Sequence, residues 1–179
     1  MRVAFVVAAV AIAGGLMLVI YARGRPLPAS SPEVAVGRAL PDAALADELG
    51  RPVALASLRG SPLVLVFFRG ALCVACRAEV AKFAERAPPF IAEGVRVVGI
   101  SADPPEVSAE WKRTERIPFP LLSDPRRTLT ERICGQNGHC VVLVDPGGVV
   151  RWGALNDYWR GAPGPEVVLR AAARLGARG

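Results

Sequence analysis

No run of basic residues interleaved with aromatics occurs in this 179-residue chain, so it carries no footprint of a nucleic-acid surface. Half of the formal charge of +6 comes from Arg2, Arg23 and Arg25, outside the part expected to fold, and the arginines elsewhere are scattered as on a solvated face. Cysteine is scarce. Four are too few to staple a small secreted fold. No internal repeat is present, which excludes a solenoid, and the length allows one compact domain once the first stretch of about thirty residues is set aside.

What the sequence does have begins with a membrane-length segment. From Val3 to Ala22, VAFVVAAVAIAGGLMLVIYA carries no charge, and as a helix it would span roughly 30 Å, the thickness of a bilayer's hydrocarbon core. A cleaved secretory signal has a shorter apolar region of about 7 to 15 residues and a small-residue cleavage site. Here the run leads into Arg23 and Arg25. Residues 1–22 are therefore expected to be an uncleaved anchor, with a cleaved signal or a buried helix as the alternatives. Residues 23–34, rich in Pro, Ser and Ala, read as a linker, and residues 35–179 as the folded domain. Flanking charge does not orient the anchor, because arginine stands on both sides. An anchor ahead of a redox-active cysteine pair favours a domain outside the cytoplasm, where disulfides persist. The expected location is thus the cell membrane, single-pass, with the domain extracytoplasmic.

Within the domain, two short segments around Gly50-Arg51-Pro52 predict a hairpin. Ser61–Phe68, SPLVLVFF, is an unbroken apolar run and predicts a fully buried central strand. The period then changes to three and four at Val80, Phe83, Ala84 and Ala87, a helix that Pro88-Pro89 should stop. Val95–Ser101 predicts a second buried strand, parallel to the first. A helix over 104–117 should carry Val107 and Trp111 on one face. A short helix is expected over about 125–133, a hairpin around the Asp145-Pro146-Gly147-Gly148 turn, and a last helix over 165–175. The fold class is α/β, a mixed central sheet flanked by helices.

Cys73-Val74-Ala75-Cys76 falls where the buried strand has ended and the helix begins. Unsatisfied N–H groups at a helix N-terminus favour an anion, and Arg69 and Arg77 are cationic neighbours, so a thiol here is expected to ionise below the free value of about 8.5. Such a thiolate attacks a disulfide or a peroxide, and its partner closes a disulfide. The same spacing also occurs in zinc sites. A structural zinc site needs a second ligand pair of similar spacing, whereas Cys134 and Cys140 are six residues apart with His139 beside one of them. An inert buried pair is the remaining alternative.

Five blocks in order, LASLRGSPLVLVFF, FFRGALCVACRAEV, GVRVVGISAD, PLLSDPRRTLTERICG and VVLVDPGGVVRW, resemble the alkyl hydroperoxide reductase and thiol-specific antioxidant superfamily, the peroxiredoxin-like branch of the thioredoxin fold. The resemblance runs from about Val36 to the C-terminus and implies that the mixed sheet is thioredoxin-like. Two subgroups are similar over the same residues. Phe68, Cys73, Cys76, Arg77 and Glu79 match the pattern of membrane-anchored thiol-disulfide oxidoreductases, which implies Cys73 as the attacking thiol and Cys76 as the resolving one. Peroxiredoxins instead imply Cys76 as the peroxide-attacking cysteine, with Cys73 standing where they have threonine and Arg69 where they have proline. A thiol is a weaker hydrogen-bond donor than that hydroxyl.

His139 sits where thioredoxin-like proteins have a cis-proline and peroxiredoxins an arginine. It is read as a loop residue, as an aid to the thiols when charged or neutral, or as a metal ligand. Cys73, Cys76 and His139 resemble the two-cysteine, one-histidine set of anchored copper chaperones, and thiolate with imidazole suits copper. Cys134 and Cys140 could form a structural disulfide, or a reservoir relaying oxidation from Cys76. The leading expectation is a thiol-disulfide oxidoreductase acting through Cys73 and Cys76, with a thiol peroxidase acting through Cys76 and a copper-binding assembly factor as alternatives. The partners implied are a protein dithiol or disulfide, or a hydroperoxide. No cofactor is expected.

Overall fold

The computed structural model describes residues 30–31, 34–136, 138–156 and 163–176. The expected anchor, Val3–Ala22, lies outside them. No helix among the described residues is long and apolar enough to cross a membrane.

Seven strands form one sheet in the order β2-β1-β5-β4-β3-β6-β7. At its centre β3 (Leu63–Phe67) is buried at every residue, because it has a strand on each side and helices on both faces. It pairs in parallel with β4 (Arg96–Ser101) and antiparallel with β6 (Cys140–Val144). β6 continues antiparallel into β7 (Val150–Leu155), the expected hairpin. On the other side β4 pairs in parallel with β5 (Leu121–Ser123), a strand that the sequence reading left inside a connection. The predicted hairpin, β1 (Ala44–Ala46) and β2 (Pro52–Ala54), does not merely lie against the core. It joins the sheet where Ala46 pairs with Ser123 of β5.

The alternation of strand side chains divides the core into two layers. Val64 and Val66 of β3 and Val141 and Leu143 of β6 face one cluster, with Cys76, Val80 and Phe83 of α1 (Val74–Glu85) and Val168 and Ala172 of α5 (Pro165–Gly176). Leu63, Leu65 and Phe67 face the other, with Cys140, Val142 and Val144 and with Leu129, Ile133 and Cys134 of α4 (Thr128–Cys134).

Two expectations change, and one holds. Pro88 and Pro89 do not simply stop a helix: α1 ends at Glu85, and the prolines occupy the first turn of α2 (Ala87–Ala92), where a missing N–H costs no helical bond. In α3 (Pro105–Glu115) Trp111 and Val107 share one face as expected: Trp111 is buried and packs edge-on against Phe68, with ring centres 5.3 Å apart, and Val107, 38% exposed, lines the same groove. Ser30, Ser31 and Val34, assigned to the linker, are docked on β7. The Ser31 N–H donates to the Gly153 carbonyl at 3.0 Å, Ser31 Oγ accepts from the Leu155 N–H at 3.0 Å, and Val34 is buried.

Candidate active site

The cysteine pair sits at the C-terminal end of β3, as its sequence position predicts. Phe68 N–H still bonds the Ile100 carbonyl at 3.0 Å, and the chain then turns through Arg69-Gly70-Ala71-Leu72. That turn is held from outside by Asp103, whose Oδ2 accepts the Ala71 N–H at 2.7 Å. Asp103 is itself fixed: its N–H donates to Ser101 Oγ and its carbonyl accepts from Ser123 Oγ. Cys73 then takes extended backbone angles and caps α1, with its sulfur accepting the Cys76 N–H at 3.3 Å. A sulfur in this place faces the unpaired N–H groups and partial positive charge of a helix N-terminus, which favours its thiolate when the pair is reduced.

Cys73 and Cys76 are joined as a disulfide with Cα atoms 5.2 Å apart. Their environments differ. Cys76 is wholly buried, while Cys73 is partly exposed and opens onto a cleft of about 710 Å³. Arg69 and Lys82 also line that cleft, with Glu79, His139 and Asn156 deeper in it. Arg77, expected to add positive charge beside the thiols, is not brought to the cleft. Its guanidinium pairs with Glu115 and it lines a separate groove beside α3.

His139 is not a free loop residue, for it is 7% exposed. Its Nε2 meets Glu79 Oε2, so one proton lies between them. Asn156 Nδ2 donates to the same carboxylate oxygen and lies 3.1 Å from His139 Nε2. The Asn156 N–H also donates to the His139 carbonyl at 2.9 Å, which ties β7 to the segment entering β6. Glu79 is 7% exposed, and its other oxygen, Oε1, is buried with no hydrogen-bond partner among the described residues. Buried carboxylates are costly unless bonded, and half of this one is not.

Sequence reasoning assigned no chemistry to Glu79 or Asn156. A signal for Glu79 was present: it follows Cys76 by three residues, so the two leave the same side of α1. Asn156 had no such signal, since only the pairing of β6 with β7 carries it to His139. The set Cys73, Cys76 and His139, considered for copper, is drawn apart in role: the sulfurs bond each other and the imidazole is turned onto Glu79 and Asn156. Among the described residues no group of three His, Cys, Asp or Glu side chains is arranged to hold a metal ion.

Cys134 and Cys140 form a second disulfide, with Cα atoms 5.8 Å apart and both residues wholly buried. It lies in the α4 layer, whereas Cys76 lies in the α1 layer on the other face of the sheet. Direct relay of oxidation from Cys76, one of the two readings of this pair, would have to pass through the sheet.

Residues 36–153 match the AhpC/TSA family model. A peroxiredoxin of Mycobacterium tuberculosis is 36% identical over 91 residues, which cover 51% of this chain and 58% of the relative. The chloroplastic peroxiredoxin Q of Sedum lineare is 34% identical over 137 residues, covering 76% of this chain and 63% of the relative. The chain thus spans only about half the length of several curated relatives that it matches. Among solved structures, peroxidoxin BcpB of Mycobacterium tuberculosis superposes with a TM-score of 0.60 at 26% identity, covering 78% of this chain and 91% of that one. With its mixed thioredoxin-like sheet and its cysteine pair at the head of α1, this chain belongs to the AhpC/TSA family as a peroxiredoxin-like protein.

Proposed function

We propose that this chain is a thiol-dependent peroxidase in which Cys73 attacks the hydroperoxide and Cys76 resolves it. One observation carries the assignment of roles: of the four cysteines only Cys73 reaches the cleft, the other three being wholly buried. Relatives in the peroxiredoxin family support the peroxide as substrate. The Cys73 thiolate attacks the terminal oxygen of the hydroperoxide, and the O–O bond breaks. The leaving oxygen takes a proton and departs as an alcohol, or as water from hydrogen peroxide, while Cys73 becomes a sulfenic acid. The Cys76 thiol then displaces that hydroxyl as water, and the Cys73–Cys76 disulfide forms. One thiolate of a dithiol partner attacks Cys73, the outward sulfur, and Cys76 leaves and takes up a proton; the partner's second thiol then attacks the partner sulfur of the mixed disulfide, which closes the partner's own disulfide and releases Cys73 as a thiolate. The proton held between His139 and Glu79 faces the same cleft and serves the leaving groups.

A second reading, exchange with a substrate protein disulfide, is favoured by the apolar collar around Cys73: Leu72 is 96% exposed and Val74 81%. Side chains of this kind suit contact with another protein rather than with a small peroxide. In either case the anchor over Val3–Ala22 would hold the domain at a membrane, outside the cytoplasm. That placement rests on the sequence alone, and protease accessibility of the domain in intact cells and spheroplasts tests it.

The test of the main reading is stopped-flow reaction of the reduced full chain with hydrogen peroxide and with cumene hydroperoxide. Cys76→Ser should still react once and stop as a sulfenic acid at Cys73, trapped by dimedone and located by mass spectrometry. Cys73→Ser should lose the fast phase. The reverse pattern would move the nucleophile to Cys76. A wild-type rate no greater than that of a free thiol with either peroxide would end the peroxidase reading and leave disulfide exchange.

A further inference from the structure

The second disulfide has no part in the chemistry above, yet it adjoins the site in the chain. Cys140 is the residue after His139. In extended backbone successive side chains leave opposite faces, so Cys140 points into the α4 layer while His139 points at Glu79 of α1. Whatever fixes Cys140 therefore fixes the direction of the imidazole on the other side of the sheet.

The segment that ends in His139 is held at its far end by the Asn156 N–H on the His139 carbonyl, and among the described residues little else fixes it before that point. It leaves α4 at Gly135, which has φ of +66°, and passes Gly138 at +63°, so two of its backbone positions are ones that few side chains tolerate and that glycine leaves loose. Among the described residues its backbone bonds are the Gly135 N–H to the Glu131 carbonyl at 3.0 Å, Arg127 Nη2 to the Gln136 carbonyl at 3.1 Å, and the Asn156 N–H to the His139 carbonyl at 2.9 Å. Arg127 is also packed so closely over Gly138 that a Cβ there would lie 1.9 Å from its Nη2. The Cys134–Cys140 bond closes this loop at its base, from the last residue of α4 to the first of β6. Closing a loop by a covalent link removes its open conformations, and here those are the conformations in which His139 would swing off Glu79.

We infer that the Cys134–Cys140 disulfide is a positioning bond for His139, through which it sets the reactivity of Cys73 on the opposite face of the sheet. The inference deepens the peroxidase reading and rests on it for the rate measurement. The disulfide does not exchange electrons with Cys73 or Cys76; it holds the imidazole, and with it the proton shared with Glu79, in the cleft.

The test is a double-mutant cycle on the full chain between His139→Ala and the pair Cys134→Ala/Cys140→Ala, measuring the peroxide rate of Cys73 across pH. Each should lower the rate by about tenfold or more, flatten the same limb of the pH profile, and lower it no further when combined. A cysteine-pair variant that melts earlier but keeps the wild-type rate and pH profile would show a staple only and overturn the inference. So would effects that simply multiply, or a His139→Ala protein as fast as wild type. Should the cysteine-pair variant not fold, wild type supplies the comparison. Graded reduction opens the accessible Cys73–Cys76 pair first, and that species should react faster than the fully reduced protein; equal rates overturn the inference. If wild type shows no peroxide reaction at all, the peroxidase reading fails by itself. The His139 ring resonances then decide, expected to shift on loss of the Cys134–Cys140 bond and overturning the inference if unmoved.

Discussion

Replacing Glu79 by alanine sets two physical effects against each other. With the His139 tautomer protonated at Nε2, Glu79 Oε2 accepts from both His139 Nε2 and Asn156 Nδ2. Truncation leaves both donors without that acceptor, at about 1–3 kcal/mol for each buried group, nearer the lower figure for Asn156, which water can reach. Against this, the variant no longer buries a carboxylate whose Oε1 has no partner, a relief of about 1–3 kcal/mol. It also leaves a cavity beside Cys76. Two orphaned donors and a cavity outweigh one relieved oxygen, so Glu79→Ala should lose about 1–3 kcal/mol, while Glu79→Gln, which keeps shape and an acceptor, should lose less than about 1 kcal/mol. Urea unfolding followed by tryptophan fluorescence, at constant pH with both disulfides closed, measures the difference. A Glu79→Ala protein as stable as wild type would refute the reasoning, because the cluster would then be a net burden on the fold rather than what holds His139.

Two further outcomes follow from packing and charge. Gly153→Ala places a Cβ 2.4 Å from Val34 Cγ1 and 2.9 Å from Val142 Cγ1, an overpacking cost of about 1–3 kcal/mol; calorimetry should show melting lower by about 2–4 °C for each kcal/mol, and an unchanged melting point would mean that the segment around Val34 lifts from β7 freely. The Asp47 carboxyl is pushed up by burial, but the Arg51 backbone N–H and guanidinium and the Leu49 N–H outweigh this and hold it below its ordinary value. A carboxyl lowered on folding stabilises above its unfolded value of about 3.9 and stops doing so as pH falls through the folded value. Asp47→Asn should therefore be less stable than wild type at neutral pH, and the gap in urea midpoints should close as pH drops below about 4; a gap constant with pH would contradict the assignment.

Much of the frame was legible because it is written in period and punctuation. The apolar run into Phe68, the change to helical spacing after Cys73 and the turn at Asp145 each depend on neighbours in the chain, and each appears where expected. β5 was missed because its three residues, Leu121–Ser123, are too few to show a period and are defined by pairing with β4 and β1. The two prolines at 88 and 89 were read as an end because proline breaks a helix from within, while at a first turn it begins one. The site divides in the same way. Cys73 and Cys76 are visible by spacing alone. His139 was singled out by its place before β6 and Glu79 by the motif it shares with the cysteines, but their pairing was not, since Glu79 lies 60 residues and Asn156 17 residues from His139 and only the fold brings them together. Arg77 was placed beside the thiols by proximity in sequence, yet Glu115, 38 residues on, takes its charge.

The placing of one disulfide in each layer of the core has a consequence for stoichiometry. Four cysteines in one small domain suggest a protein that could store four electrons. The sheet between the pairs makes it instead two separate couples, one whose outer sulfur any thiol can reach and one that none can reach without opening the fold. Titrated with a mild dithiol under native conditions, each molecule should take up two electrons and then stop, with two thiols countable by a chromogenic reagent and the other two appearing only after denaturation.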